Sequence, residues 1–169
     1  MIRALCALTL FSSLPAAAFA QTAMPAGTWL NEDKDGMVEI ADCGRLRGQR
    51  ETGLLCGHVV WIRDAVDRIT GRPPVDAKNV DPKLRGRPIL GLPVVLDMRP
   101  SAASGRWDGR VYNIDDGKTY TGKLTALPDG RLRVEGCVML VCQGETWTRQ
   151  ASPAAPAARS PASAHERAR

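Results

Sequence analysis

Between Gly27 and Arg149 the chain repeats one pattern, a short run of alternating apolar and polar residues followed by a turn rich in Asp, Asn, Ser, Pro and Gly. Alternation with period two places every second side chain on one face, which is strand geometry and not helix geometry. The runs cover residues 27–30, 37–42, 54–62, 93–99, 106–113, 119–126, 131–137 and 145–149. Lys34-Asp35-Gly36, Ser104-Gly105, Asp115-Asp116-Gly117 and Pro128-Asp129-Gly130 separate them as strong turn signals. About eight strands at this spacing predict an all-β, antiparallel sandwich or up-and-down barrel. In the fourth run Val94, Leu96 and Met98 are expected on one face, with Val95, Asp97 and Arg99 on the other. In the seventh, Leu132 and Val134 oppose Arg131, Arg133 and Glu135.

Residues 63–92 break the pattern. This stretch is rich in Pro, Gly and charge, and only 81–87 reads as a helical turn, with Asp81 as N-cap and Pro82 at the first helical position. A connection this long in a small domain is usually functional or mobile, so it is the first place to look for a site. It carries Arg63, Arg68, Arg72, Lys78, Lys83, Arg85 and Arg87 against Asp64, Asp67, Asp76 and Asp81. Guanidinium forks suit carboxylates and phosphates, so the loop could hold an anionic group; otherwise its charges pair with one another and with the barrel rim.

The two ends read differently. Residues 1–20 start with Arg3, continue through an apolar run from Ala4 to Leu14 and finish in Ala18-Phe19-Ala20, the tripartite pattern of a secretory signal peptide. The apolar run is too short for a transmembrane anchor. Residues 151–169 contain no Leu, Ile, Val or aromatic residue and read as a disordered Ala/Pro/Ser-rich tail. What remains, 21–150, is long enough for one domain and too short for a multidomain enzyme. The whole chain has 23 Lys and Arg against 18 Asp and Glu, but Arg3, Arg159, Arg167, Arg169 and Glu166 fall in the ends. The nearly neutral remainder gives no support for a nucleic-acid partner.

Removing the signal also removes Cys6 and leaves Cys43, Cys56, Cys137 and Cys142, an even set that reads as disulfides in an exported chain, with three connectivities open. Proximity favours Cys43–Cys56 and Cys137–Cys142. Their spacings lack the C-x2-C knuckles of structural zinc sites, so no metal or cofactor is expected.

The inventory for catalysis is thin. Within 21–150 the one histidine is His58 and the serines are Ser101 and Ser104, so no Ser-His-Asp set is convincing. There is no phosphate loop and no His-Glu-x-x-His. Asn31-x-Asp33-x-Asp35-Gly36 partly matches a calcium loop, but its flanks read as strands, and an acidic hairpin turn is the preferred reading. No catalytic residue is assigned, and the chain leans away from an enzyme. At the chain ends, Trp29 on the first strand and Trp147 and Arg149 on the last become neighbours if a barrel closes, with Arg149 placed to stack on Trp29.

Several segments together carry a resemblance: Gly27-Thr28-Trp29, Cys56-Gly57-His58-Val59-Val60-Trp61, Asp76-x-x-Asn79-x-Asp81, Leu84-Arg85-Gly86-Arg87-Pro88, Val111-Tyr112-Asn113, Asp116-Gly117-Lys118-Thr119-Tyr120 and Trp147-Thr148-Arg149. In order and spacing the chain resembles domain-of-unknown-function family 2147, exported bacterial proteins, across nearly all of residues 27–149. The resemblance implies a lipocalin-like barrel in the cell envelope, periplasmic or secreted, and no assigned reaction. Asn113-Ile114 departs from the Asp-Pro that members usually show, which weakens a carboxylate role there.

The reading that follows is an antiparallel up-and-down lipocalin-like barrel with one long polar loop, binding a small amphiphilic or anionic ligand. Asp76, Asn79, Arg85, Arg87, Tyr112, Lys118 and Tyr120 are the expected polar determinants. A filled barrel that contacts an envelope protein or glycan is the alternative, and a small hydrolase with paired groups near Asp76 or Asp116 is a third. The first discriminating question is whether the barrel is hollow.

Overall fold

The computed structural model describes residues 25–68 and 70–151, and the signal at 1–20 and all of the tail beyond Ala151 lie outside them. Eight strands close into one barrel in chain order, each antiparallel to the next: β1 Gly27–Leu30, β2 Gly36–Asp42, β3 Leu55–Ile62, β4 Pro93–Pro100, β5 Arg106–Asn113, β6 Lys118–Ala126, β7 Leu132–Val138 and β8 Val141–Gln150. β1 pairs with β8 through Thr28–Gln150, Trp29–Arg149 and Leu30–Thr148, which completes the closure. Among the described residues no helix is long and apolar enough to cross a membrane.

Turn chemistry sets the register. After β1 the Asn31 Oδ1 accepts from the N–H groups of Asp35 and Gly36, and Lys34 takes a positive φ of 58°, so the acidic motif builds a hairpin. After β5 the Asn113 Oδ1 accepts from Asp115 N–H, and Gly117 sits at φ 72°. One helical turn, α1 (Cys43–Leu46), follows β2 and went unread in the sequence; its N-cap is Asp42, which accepts from the Gly44 and Arg45 N–H groups. The predicted turn at Asp81-Pro82 is present as a 3-10 turn over Pro82–Leu84, with the Asp81 side chain accepting from Lys83 N–H.

Two strands differ from the sequence reading. The expected faces of β4 are wrong beyond its first residues: Val95 and Met98 are both fully buried, because a bulge between Leu96 and Arg99, with Asp97 at φ 51°, resets the alternation. β8 starts at Val141 and not at 145, since the strand pairing continues to the hairpin tip, with Cys137 opposite Cys142 and Val138 opposite Val141.

Because connections alternate between the ends, the β1–β2, β3–β4, β5–β6 and β7–β8 connections share one end, here the mouth. The α1 segment, the β4–β5 and β6–β7 turns and the start of β1 share the other, here the base. Trp29, Ile40, Met98, Trp107, Leu124 and Leu132 are buried in the apolar core. Full burial of such a side chain stabilises by roughly 1.5–3 kcal/mol each. β1 is short: β8 is paired with β7 from Val141 to Trp147 and with β1 only from Thr148 onward.

Candidate functional site

Above the packed residues the lumen is open, a cavity of about 860 Å³. That is the size of small-ligand pockets, roughly 300–1,000 Å³. Its wall is largely aliphatic, with Val38, Val59, Val95, Val111 and Val134 around it and Trp147 among the deeper lining residues. Gly136 keeps part of the wall bare, since a Cβ there would lie 3.3 Å from Tyr120 and Val111 carbons. At the rim the lining turns acidic: Asp33 and Asp35 from the β1–β2 turn, Asp64 from the long loop, Asp115 and Asp116 from the β5–β6 turn, and Glu145 from β8. Among the described residues no Lys or Arg lines the cavity.

The long loop is a structured strap. A lone β-bridge pairs Val75 with Pro88, Ile89 N–H bonds Pro74 O at 3.0 Å, and Ile89 and Leu92 are buried in the core. Its latch is a buried polar cluster. Asp76, 1% exposed, accepts from Tyr112 Oη at 2.6 Å, Asn79 Nδ2 at 2.8 Å and Arg87 Nε at 2.9 Å. Asn79 Nδ2 also donates to Tyr112 Oη at 2.9 Å, and Arg87 lies over the Tyr112 ring at 5.3 Å. Arg85 Nε donates to Asn79 O at 2.8 Å. Burial pushes the Asp76 carboxyl up, but the bonds from Tyr112, Asn79 and Arg87 and the Arg87 charge outweigh it, and the group ends below the usual carboxylate value. The strap then rests on the β5–β6 turn: a Cβ on Gly117 would fall 1.9 Å from Lys78 O, and Val80 N–H bonds Gly117 O.

The seven expected determinants therefore divide. Tyr112 and Tyr120 line the cavity, whereas Asp76, Asn79, Arg85, Arg87 and Lys118 do not. The first four of those five fasten the strap, since the Asp76 carboxylate is buried, its three donors come from the strap and β5, and Arg85 bonds the Asn79 carbonyl. At the rim Tyr120 Oη donates to Asp116, whose carboxyl is lowered by that bond and stays ionised, while the Tyr120 hydroxyl is raised by the same contact. Glu145 accepts from Trp147 Nε1 at 2.8 Å and from Glu32 N–H at 3.2 Å, and Glu32 in turn accepts from Thr146 N–H at 2.9 Å. These two side chains satisfy backbone groups where β1 has ended and β8 continues. The sequence reading missed the lumen-facing carboxylates because acids in turns read as turn formers; six of them converging on one end was the available signal.

His58 is half-buried, and burial, aided by Arg47 and opposed by Glu39, lowers its pKa, so it is neutral near pH 7. Cys43–Cys56 and Cys137–Cys142 are both disulfides. Cys43, Cys56 and Asp97 cluster, but the two sulfurs are bonded to each other and no thiolate is available to a metal. At the base, Arg149 lies 4.3 Å above the Trp29 ring and donates to Ala26 O at 2.9 Å, the expected closure. Trp147 is not part of that stack; it is the deep wall of the cavity. Beside the mouth, the β7–β8 hairpin carries Met139 and Leu140 at its tip, 96% and 97% exposed.

Residues 27–149 match the family model described as "Uncharacterized protein conserved in bacteria (DUF2147)", and the chain belongs to this family. No curated protein matches it. Among solved structures, a Helicobacter pylori protein described as belonging to the lipocalin family superposes with a TM-score of 0.58 at 21% identity, over 75% of this chain and 83% of that one. That likeness is one of fold: a closed, eight-stranded, lipocalin-like barrel.

Proposed function

We propose, with membership of that family as the premise, that the protein is an exported ligand-binding module of the cell envelope that carries one small amphiphilic molecule tail-first in its barrel. The observation that carries this reading is the hollow lumen, apolar in its wall and polar only at its rim. A barrel of this strand number can be filled by its own side chains, and the cavity volume speaks against that alternative here. Two disulfides fit an oxidising compartment such as the periplasm. A hydrolase reading gains nothing from Asp76, which is buried, bonded to three donors and away from the cavity lining. The test uses the neutral dye N-phenyl-1-naphthylamine: one equivalent should bind with enhanced fluorescence. Gln143→Trp, on an exposed part of the wall, should weaken binding at least tenfold with an unchanged melting temperature. No dye uptake, or uptake indifferent to that substitution, defeats the reading.

A docking role toward an envelope protein or glycan draws support from one place, the exposed apolar tip Val138-Met139-Leu140-Val141 beside the mouth. Met139→Ser with Leu140→Ser should abolish any reproducible cross-linked partner; partners that survive the double substitution would locate docking elsewhere.

A further inference from the structure

We infer that the head group of the bound amphiphile is a cation, an alkylammonium or similar amine, held at the mouth by the carboxylate rim while its tail fills the lumen. This rests on the ligand-binding reading above and adds to it the charge of the ligand. Asp33, Asp35, Asp64, Asp115, Asp116 and Glu145 come from four different parts of the chain and meet at one opening. A carboxylate ring of this kind around an apolar, low-dielectric well focuses negative potential on its mouth. Among the described residues no cation lines the cavity, and of those near the rim Lys118 lies near enough to Asp116 to lower its carboxyl. Arg63 Nη2 donates to the carbonyls of Asp33 and Lys34, and Lys34 and Lys118, although on the same turns, do not line the cavity. Arg68 faces Asp64 at 3.7 Å in an exposed pair worth little. Arg85 and Arg87, the residues suited to an anionic head, bond the strap through Nε and do not line the cavity.

Partnering within the rim also favours an amine. Asp33 and Asp115 have no ion-pair partner among the described residues, while Asp116 and Glu145 each already accept two hydrogen bonds. An incoming ammonium supplies three donors and a positive charge to oxygens that still have lone pairs free. An incoming carboxylate would supply neither and would meet like charge, a repulsion that salt screens at an exposed rim.

Dodecylamine, dodecanol and dodecanoate share a tail and differ in head charge at pH 7. Each is titrated below its aggregation threshold against dye-loaded protein. The expected order is amine, then alcohol, then acid, with at least a tenfold gap between amine and acid that narrows as salt rises from 20 to 500 mM. Asp33→Asn with Asp115→Asn should remove most of the amine's advantage and leave dodecanol unchanged. Dodecanoate binding as tightly as the amine, or an amine advantage unmoved by both salt and the double variant, overturns the inference while dodecanol binding keeps the carrier reading intact. If none of the three binds, the carrier reading itself fails and this inference falls with it.

Discussion

The two ends of the barrel are built from the same strands and serve opposite purposes. At the base, Met98, Leu124 and Leu132 are fully buried, Arg149 covers Trp29, and Cys43–Cys56 ties α1 to β3. At the mouth, the same strands diverge around empty space and end in carboxylates. A filled section gains burial energy from every side chain; an open one forgoes it in exchange for room. Stability should therefore depend on the base and binding on the mouth, and substitutions at each end can break that division.

The largest effect is expected from Leu124→Ala, where a fully buried side chain leaves a hole that the ring of strands cannot collapse. A loss of about 2–5 kcal/mol in urea unfolding is expected. A loss below 1 kcal/mol would mean that the base is not the stabilising end. Next comes the Cys43–Cys56 bridge: replacing both with Ser should cost about 3 kcal/mol, the chain-entropy value for a loop of this length. Tyr112→Phe tests the boundary between the ends. It deprives buried Asp76 and Asn79 of one partner and should cost about 1–3 kcal/mol, with faster proteolysis of the strap.

The same latch gives a pH dependence with a defined sign. Asp76 has a folded pKa below its unfolded one, so its contribution is complete above the unfolded value near 4. It disappears as the pH falls through the lower folded value. Urea midpoints at pH 7 and at pH 2.5 should therefore differ more in the native protein than in Asp76→Asn; equal differences would remove Asp76 from the acid response. Arg149→Ala should cost about 1 kcal/mol by loss of the cation–π contact. Smallest in stability is Asp35→Asn, at the exposed rim and within about 0.5 kcal/mol of the native protein. If it shifted the melting temperature as much as Arg149→Ala, the mouth would be contributing to stability after all.

The strands were legible because alternation and turn chemistry are local: Asn31, Gly36, Asn113 and Gly117 mark their turns without help from distant residues. The β4 bulge was not, since it arises where β4 shifts register against β5 between Leu96 and Arg99, and Asp97 in it meets Arg110 at 2.9 Å and Arg47 at 3.6 Å, both distant in sequence. The strap's arginines read as ligand-facing because charge alone does not reveal its partner; Arg87 meets an Asp eleven residues earlier and a Tyr on another strand. Hollowness was illegible for a different reason. It depends on the summed volumes of residues from facing walls, such as Gly136 beside Val111, and no local pattern encodes that sum.

The mismatch between β1 and β8 has a consequence for what the lumen can accept. β1 has four residues and β8 has ten, so the wall has no β1 ladder beside Val141, Gln143 and Gly144, and below them the Glu32–Glu145 exchange bridges the two strands. A tail longer than the lumen is deep has a lateral way out. Affinity along a homologous series of chain lengths should therefore rise and then level off, where a sealed cup would impose a sharp cut-off.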